Sequence, residues 1–229
     1  MGVSDNATHP DPIRRTSAPL LWARDVCLAY DGADVVHTVS LELPRRAVTA
    51  LCGANGSGKS TLVELLAGVK RPRAGAIERG GSLALVVQRP DVPDALPLTV
   101  GDVVRMGTWG TPRLRGSRAR QEAARAIERV ELTGMEDRRL VELSGGQRQR
   151  ALLAQGLVRG ADILILDEPA AGLDAASRDR VRAALAEEAA RGAAVLCVTH
   201  DDDAIAAADR VIRLDGGMIV RESVPAALA

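Results

Sequence analysis

The chain has 229 residues, 46% of them hydrophobic and 26% charged, with 30 basic residues against 30 acidic ones. That is ordinary globular composition with enough chain for one sizeable core, and the charge balance gives no electrostatic reason to expect nucleic acid as a partner. Aromatic residues are only 1%, with no Phe, which leaves no stacking platform for single strands, and no run approaches the roughly 20 apolar residues of a membrane span.

Residues 1–19, "MGVSDNATHPDPIRRTSAP", are polar and Pro-containing and predict a flexible tail ahead of one domain over 20–229. They hold no apolar stretch of signal-peptide length. "MGVSDN" approaches a myristoylation pattern, but Asn6 stands where Ser or Thr is needed. The expected location is the cytoplasm, with any membrane span supplied by another chain. "LLWARDVCLAY" and "DVVHTVSLELP" then predict two strands joined by a turn at Asp31-Gly32. "AVTALCG" predicts a buried strand, "KSTLVELLAG" a helix stopped by Gly68, and "GAIERGGSLALVVQ" two further strands. "RPDVPDALPLT" is a Pro-rich connector. Residues 89–160 form a mostly helical insertion, in which Ala123, Ala126, Ile127 and Val130 have amphipathic spacing.

"ADILILDEP" has the uniform apolar run of a central parallel strand. "DAASRDRVRAALAEEAARG" predicts a helix, "AAVLCVTH" a buried strand, "DDDAIAAA" a short helix, and "RVIRLD" and "GMIVRE" two terminal strands. Strands alternating with helices imply a parallel α/β core. Cys27, Cys52 and Cys197 lie in apolar stretches without metal-ligand spacing and read as buried, reduced thiols. His9, His37 and His200 form no cluster with them.

The chemistry sits in two stretches that resemble phosphate grips. Gly53, Ala54, Asn55, Gly56, Ser57, Gly58, Lys59 and Ser60 spell "GANGSGKS", followed by Thr61. A strand before this stretch and a helix after it supply the context of a P-loop. Glycines there let backbone N–H groups converge on phosphate oxygens at a helix N-terminus. Lys59 is expected to reach the β- and γ-phosphates, and Ser60 to place its hydroxyl on Mg²⁺. Asp167 and Glu168 end a buried strand, where α/β sheets bind ligands. Asp167 is assigned to Mg²⁺ and Glu168 to the attacking water. Gln88 and His200 also end strands, where an isolated polar residue is usually only a terminus. The second grip is "LSGGQRQR", Leu143–Arg150. Ser144 and the amides of Gly145 and Gly146 stand at a helix start and can bind phosphate oxygens.

Together these stretches resemble the nucleotide-binding subunit of an ABC transporter. The resemblance runs from Leu21 to about Glu222, with every motif in family order: Walker A at 53–60, Q-loop Gln88, signature "LSGGQ" at 143–147, Walker B "ILILDE" at 163–168, D-loop "AGLD" at 171–174, and H-loop His200. It implies an α/β P-loop NTPase (RecA-like) core with an antiparallel β subdomain and an inserted α-helical subdomain. It implies ATP and Mg²⁺ as cofactors. Gln88 would touch Mg²⁺ or the attacking water, and His200 the γ-phosphate. Gln147 and Asp174 would join the nucleotide contacts. Tyr30 would stack on adenine, although an ordinary strand-end aromatic also accounts for it. A second grip is useful if it closes over another subunit's nucleotide, and the resemblance implies a head-to-tail homodimer that sandwiches two ATPs.

One nucleotide domain without a membrane segment points to a separate-subunit transporter. "VVQRPDVPDALPLTVGDVVRMGTWG" resembles the zinc/manganese and iron-chelate uptake ATPases, most of all actinobacterial-type zinc uptake ATPases. Integral membrane permease subunits and, indirectly, an extracytoplasmic metal-binding protein are the implied partners, at the inner face of the cell membrane. Ala170 departs from the Thr or Phe more usual after "DEP" in those relatives. Efflux or lipoprotein-release ATPases are the alternative. A DNA- or ribosome-directed ABC ATPase would need a coiled coil or a tandem domain, and a metabolic P-loop kinase would lack "LSGGQ" and His200.

Overall fold

The computed structural model describes residues 19–30, 33–87 and 97–224, with the side chains of Tyr30 and Ala33 not included. The Asp31-Gly32 turn, Gln88, most of the Pro-rich connector and the N-terminal tail lie outside the described residues. Strands β1 (Pro19–Tyr30), β2 (Ala33–Pro44) and β4 (Ala74–Arg79) form an antiparallel sheet in the order β2-β1-β4. Strands β3 (Ala47–Cys52), β5 (Leu83–Val86), β6 (Ile163–Asp167), β7 (Ala194–Val198), β8 (Arg210–Asp215) and β9 (Met218–Ser223) form the second sheet in the order β5-β6-β7-β3-β8-β9. It is parallel from β5 to β8, and β9 closes it antiparallel.

The second sheet explains the uniform apolar runs. Successive side chains on a strand point to opposite faces, and here both faces are covered. Ile163, Ile165, Leu196 and Val198 enter one core with α1 (Lys59–Ala67) and the antiparallel sheet. Leu164, Leu166, Val195 and Cys197 enter another. That second core is shared with α2 (Val100–Met106), α3 (Gly116–Arg129), α4 (Gly145–Leu157) and α5 (Ala175–Arg191). The short α6 (Asp202–Ala206) follows β7. Among the described residues, no helix is long and apolar enough to cross a membrane.

Gly68 ends α1 in a left-handed conformation, as expected, with its N–H returning to Glu64 and Leu65. Ala123, Ala126, Ile127 and Val130 are all buried. Within the helical insertion, turns separate α2 from α3, and a 3₁₀ turn at Leu140–Glu142 precedes α4. One expectation needs correction. Cys52 and Cys197 are buried, but Cys27 is only half-buried. Register shifts on both sides of Val26 displace β1 against β2, and the Cys27 Sγ accepts the Thr38 N–H at 3.2 Å.

Candidate active site

The Gly53–Ser60 loop leaves the C-terminal end of β3 and feeds directly into α1. A Cβ on Gly53 would lie 2.0 Å from the Leu214 carbonyl oxygen, and one on Gly58 would lie 2.7 Å from that of Val35. Both glycines also hold positive φ, so only Gly fits where the loop is pressed between β8 and β2. Lys59 is buried, and its Nζ donates to the Gly53 and Ala54 carbonyls at 2.9 and 2.8 Å. The lysine therefore arches over the loop that precedes it.

Among the described residues, no side chain caps the N-terminus of α1 or of α3, whereas Thr99, Ser144, Asp174 and Asp201 cap α2, α4, α5 and α6. The first-turn N–H groups of α1 are left for another acceptor, and the helix dipole favours an anionic one. Among the described residues, the buried Ser57 Oγ in this loop has no hydrogen-bond partner.

Asp167 ends β6 half-buried, and the nearby Ser60 hydroxyl favours its charged form. Burial pushes the Asp167 carboxyl above the ordinary carboxylate value. The Ser60 hydroxyl opposes that shift, Glu168 and Glu64 add to it, and Lys59 opposes it. A hydroxyl and a carboxylate beside uncapped helix N–H groups form a hard-oxygen donor set that fits a phosphate with Mg²⁺.

Glu168 adopts φ 49°, a left-handed conformation that costs a non-glycine residue about 1–2 kcal/mol. Several bonds hold it there. Its N–H donates to the Val198 carbonyl at 3.0 Å. Its carbonyl accepts from the Ala171 N–H at 3.2 Å and from Gln149 Nε2 at 3.5 Å. Its Oε1 lies 3.5 Å from Nδ1 of the exposed His200. A cavity of about 340 Å³ opens here between Glu168, Gly172, Arg178, Thr199, His200 and Asp202.

The second grip is built as the sequence suggests. Ser144 Oγ accepts the Gln147 N–H at 3.2 Å, and Gln147 Oε1 accepts the Ser144 N–H at 3.0 Å, a reciprocal capping box. Gly145 is exposed with open space where a Cβ would stand, while a Cβ on Gly146 would come 3.2 Å from Leu173. Among the described residues, no hydrogen bond joins Ser144, Gly145 or Gly146 to the Gly53–Ser60 loop. Asp174 accepts the Ser177 N–H at 2.7 Å, and its bonds to Ser177 hold its carboxyl below the ordinary value.

The fold thus brings Lys59, Ser60, Asp167, Glu168 and His200 to one end of the parallel strands, and sets "LSGGQ" beside the D-loop. Two contributors escaped the sequence reading. Gln149 interrupts the buried face of α4 formed by Ala151, Leu152, Leu153 and Gly156, and a polar residue at an apolar position was the available signal. Arg178 Nε lies 3.2 Å from Asp201, tying α5 to the residue after His200. Nothing in the sequence spacing marks that pair.

Comparison with known proteins adds the family. The sequence profile of the ABC transporter family matches residues 36–171. A zinc transport system ATP-binding protein from Treponema pallidum is 37% identical over 89% of this chain and 81% of the relative. A zinc import ATP-binding protein from Cereibacter sphaeroides is 40% identical over 86% and 79%. Other relatives carry names for manganese, chelated iron and aliphatic sulfonates. Among solved structures, cbiO1 from Clostridium perfringens, part of an ABC transporter complex, superposes with TM-score 0.78 at 27% identity. The match covers 92% of this chain and 90% of that one.

Proposed function

The chain belongs to the ABC transporter family of ATP-binding proteins, and on that premise we propose that it hydrolyses ATP to power metal-ion uptake, zinc foremost, through separate membrane permease subunits. The observation that carries the ATPase chemistry is a Gly-rich loop with Lys59 arched over it, at the same end of the sheet as Asp167 and the Glu168–His200 pair. Backbone N–H groups of the loop, the α1 N-terminus and Lys59 hold the phosphates. Ser60 and Asp167 are the Mg²⁺ ligands, with Gln88 added by family resemblance. Mg²⁺, when bound, offsets the charge of the phosphate oxygens.

Glu168 orients a water whose oxygen bonds the γ-phosphorus as the bond to the β-bridging oxygen breaks. ADP and phosphate leave, and the water proton passes through the carboxylate. His200, beside Glu168, contacts the γ-phosphate. Tyr30 stacks on the adenine.

The second grip serves a second copy of the chain. Among the described residues, nothing lies within 4 Å of where a Cβ on Gly145 would stand. Close approach of a partner's nucleotide accounts for it. Ser144, Gly145, Gly146 and Gln147 then face that nucleotide with Asp174 nearby, in a head-to-tail dimer at the inner face of the membrane. An extracytoplasmic metal-binding protein delivers cargo to the permease. The cargo assignment is supported by the zinc-transport names of the relatives. Manganese is the second reading, from relatives of that name.

Lys59→Ala should lose ATP binding in calorimetry. Glu168→Gln should still bind MgATP but turn over at least ~100-fold slower. Wild-type turnover in Glu168→Gln would place the water on another residue. Deleting the gene should abolish high-affinity zinc uptake, and loss of manganese uptake alone would reassign the cargo.

A further inference from the structure

We propose that Gln149 is a positioning residue for Glu168. Its side-chain amide holds the Glu168 carbonyl, so the water-orienting carboxylate answers to the helix that also carries Ser144. This rests on the roles proposed above for Glu168 and Ser144.

Gln149 is 9% exposed, on a helix face otherwise made of Ala151, Leu152, Leu153 and Gly156. A buried amide is costly unless it is hydrogen-bonded. The Gln149 nitrogen points at the Glu168 carbonyl oxygen from 3.5 Å. That is a long bond, which a sub-ångström shift of α4 would tighten or break.

What it holds is strained. A glutamate at φ 49° persists only where its surroundings over-determine it. Two of the backbone restraints come from the core: the Val198 carbonyl on β7, and the Ala171 N–H three residues along. The restraint from Gln149 comes from α4 instead. Ser144 caps that helix five residues earlier, and the 13-residue helix between them and beyond is regular. A displacement imposed at Ser144 by a facing nucleotide therefore reaches Gln149 instead of dissipating in a loop. In the dimer, Ser144 faces one nucleotide while Glu168 of the same chain serves the other. Gln149 thus links hydrolysis at one site to occupancy of its neighbour.

The test is a double-mutant cycle on the full chain with MgATP, built on Gln149→Met, which keeps the length and removes the donor. In the parent background, kcat should fall about tenfold with KM for ATP unchanged within about twofold. In the Glu168→Gln background, the residual turnover should change less than about twofold, because the group being positioned is already gone. A purely structural role predicts equal losses in both backgrounds, and that result, or an unchanged kcat in the parent, overturns the proposal. Gln149→Glu has the same size and gives a second route should Gln149→Met fold poorly. Its activity relative to the parent should rise as pH falls and the carboxyl gains a proton to donate. A flat ratio overturns the proposal. Light scattering of Glu168→Gln alone with MgATP separates the two readings. Absence of its dimer removes the proposed role of Ser144, whereas a dimer with additive losses removes only the role of Gln149.

Discussion

Asp167 and Glu168 are adjacent in sequence but meet different demands. In the role proposed for it, Asp167 has to be ionised to hold Mg²⁺, yet burial raises its pKa, and the Ser60 hydroxyl and Lys59 only partly offset this. Proton and metal therefore compete for one carboxylate. The acid limb of the kcat/KM profile should lie above the ordinary carboxylate range, and raising Mg²⁺ should move that limb to lower pH. Profiles at two Mg²⁺ concentrations check this, and coincident limbs would assign the limb to another group. The stability sign is the reverse of that for Asp102 and Asp162. Hydrogen bonds from Thr99 and Ser82 lower the pKa values of these two. They contribute stability above their unfolded-state pKa and lose it as pH falls through the folded one. Asp167 instead carries a folding penalty when ionised, which is relieved as pH falls through its raised pKa. The place of Asp167 and Glu168 at the end of a buried strand was legible from the apolar run before them. The positive φ of Glu168 was not, because that backbone conformation marks glycine in sequence and here falls on glutamate.

At the scale of elements, β3, β6 and β7 were legible because a strand buried on both faces must be apolar at every position. Which residues face which core was not, since that depends on what packs on each side. The offset between β1 and β2 was also hidden. Asp25 and Thr38 take positive φ there, and neither residue type announces it. An ion-pair cluster adds to the apolar join between the helical insertion and the core. Arg129 at the end of α3 donates to Glu188 at 2.7 Å and to Glu187 at 2.8 Å on α5, and Arg191 braces Glu188 at 2.5 Å. Glu188 is buried, so removing both arginines strands its charge, which costs about 3–5 kcal/mol. Arg129→Met combined with Arg191→Met should lose stability on that scale in urea unfolding. Adding Glu188→Leu should recover most of it, because an apolar cluster of similar volume avoids the desolvation cost. A triple variant no more stable than the double variant would mean that the cluster contributes through geometry that packing cannot replace. Sequence spacing could not reveal this pair, because its two halves are 59 residues apart and each reads as an ordinary solvated helix position.

At the scale of the whole molecule, the two proposed phosphate grips lie on different elements. The loop before α1 is backed by the antiparallel sheet, and the start of α4 is backed by the helices. If "LSGGQ" serves a partner's nucleotide, Ser144 and Lys59 act on one ATP only in trans. Ser144 is exposed, so Ser144→Arg should fold, losing only the cap, worth about 0.5–2 kcal/mol. It should bind ATP with the affinity of the parent, since its own loop is intact. Glu168→Gln alone should accumulate an ATP-bound dimer, because ATP joins the halves and is not consumed. Adding Ser144→Arg should leave the protein monomeric at saturating MgATP, because the long side chain occupies the space into which the facing phosphates must come. A cap lost without a dimer interface would only lower the melting temperature. Light scattering and a melt on the same samples therefore separate the two. A double variant that melts lower yet still dimerises with ATP would return Ser144 to the role of a helix cap, and would leave the open space beside Gly145 without a partner to account for it.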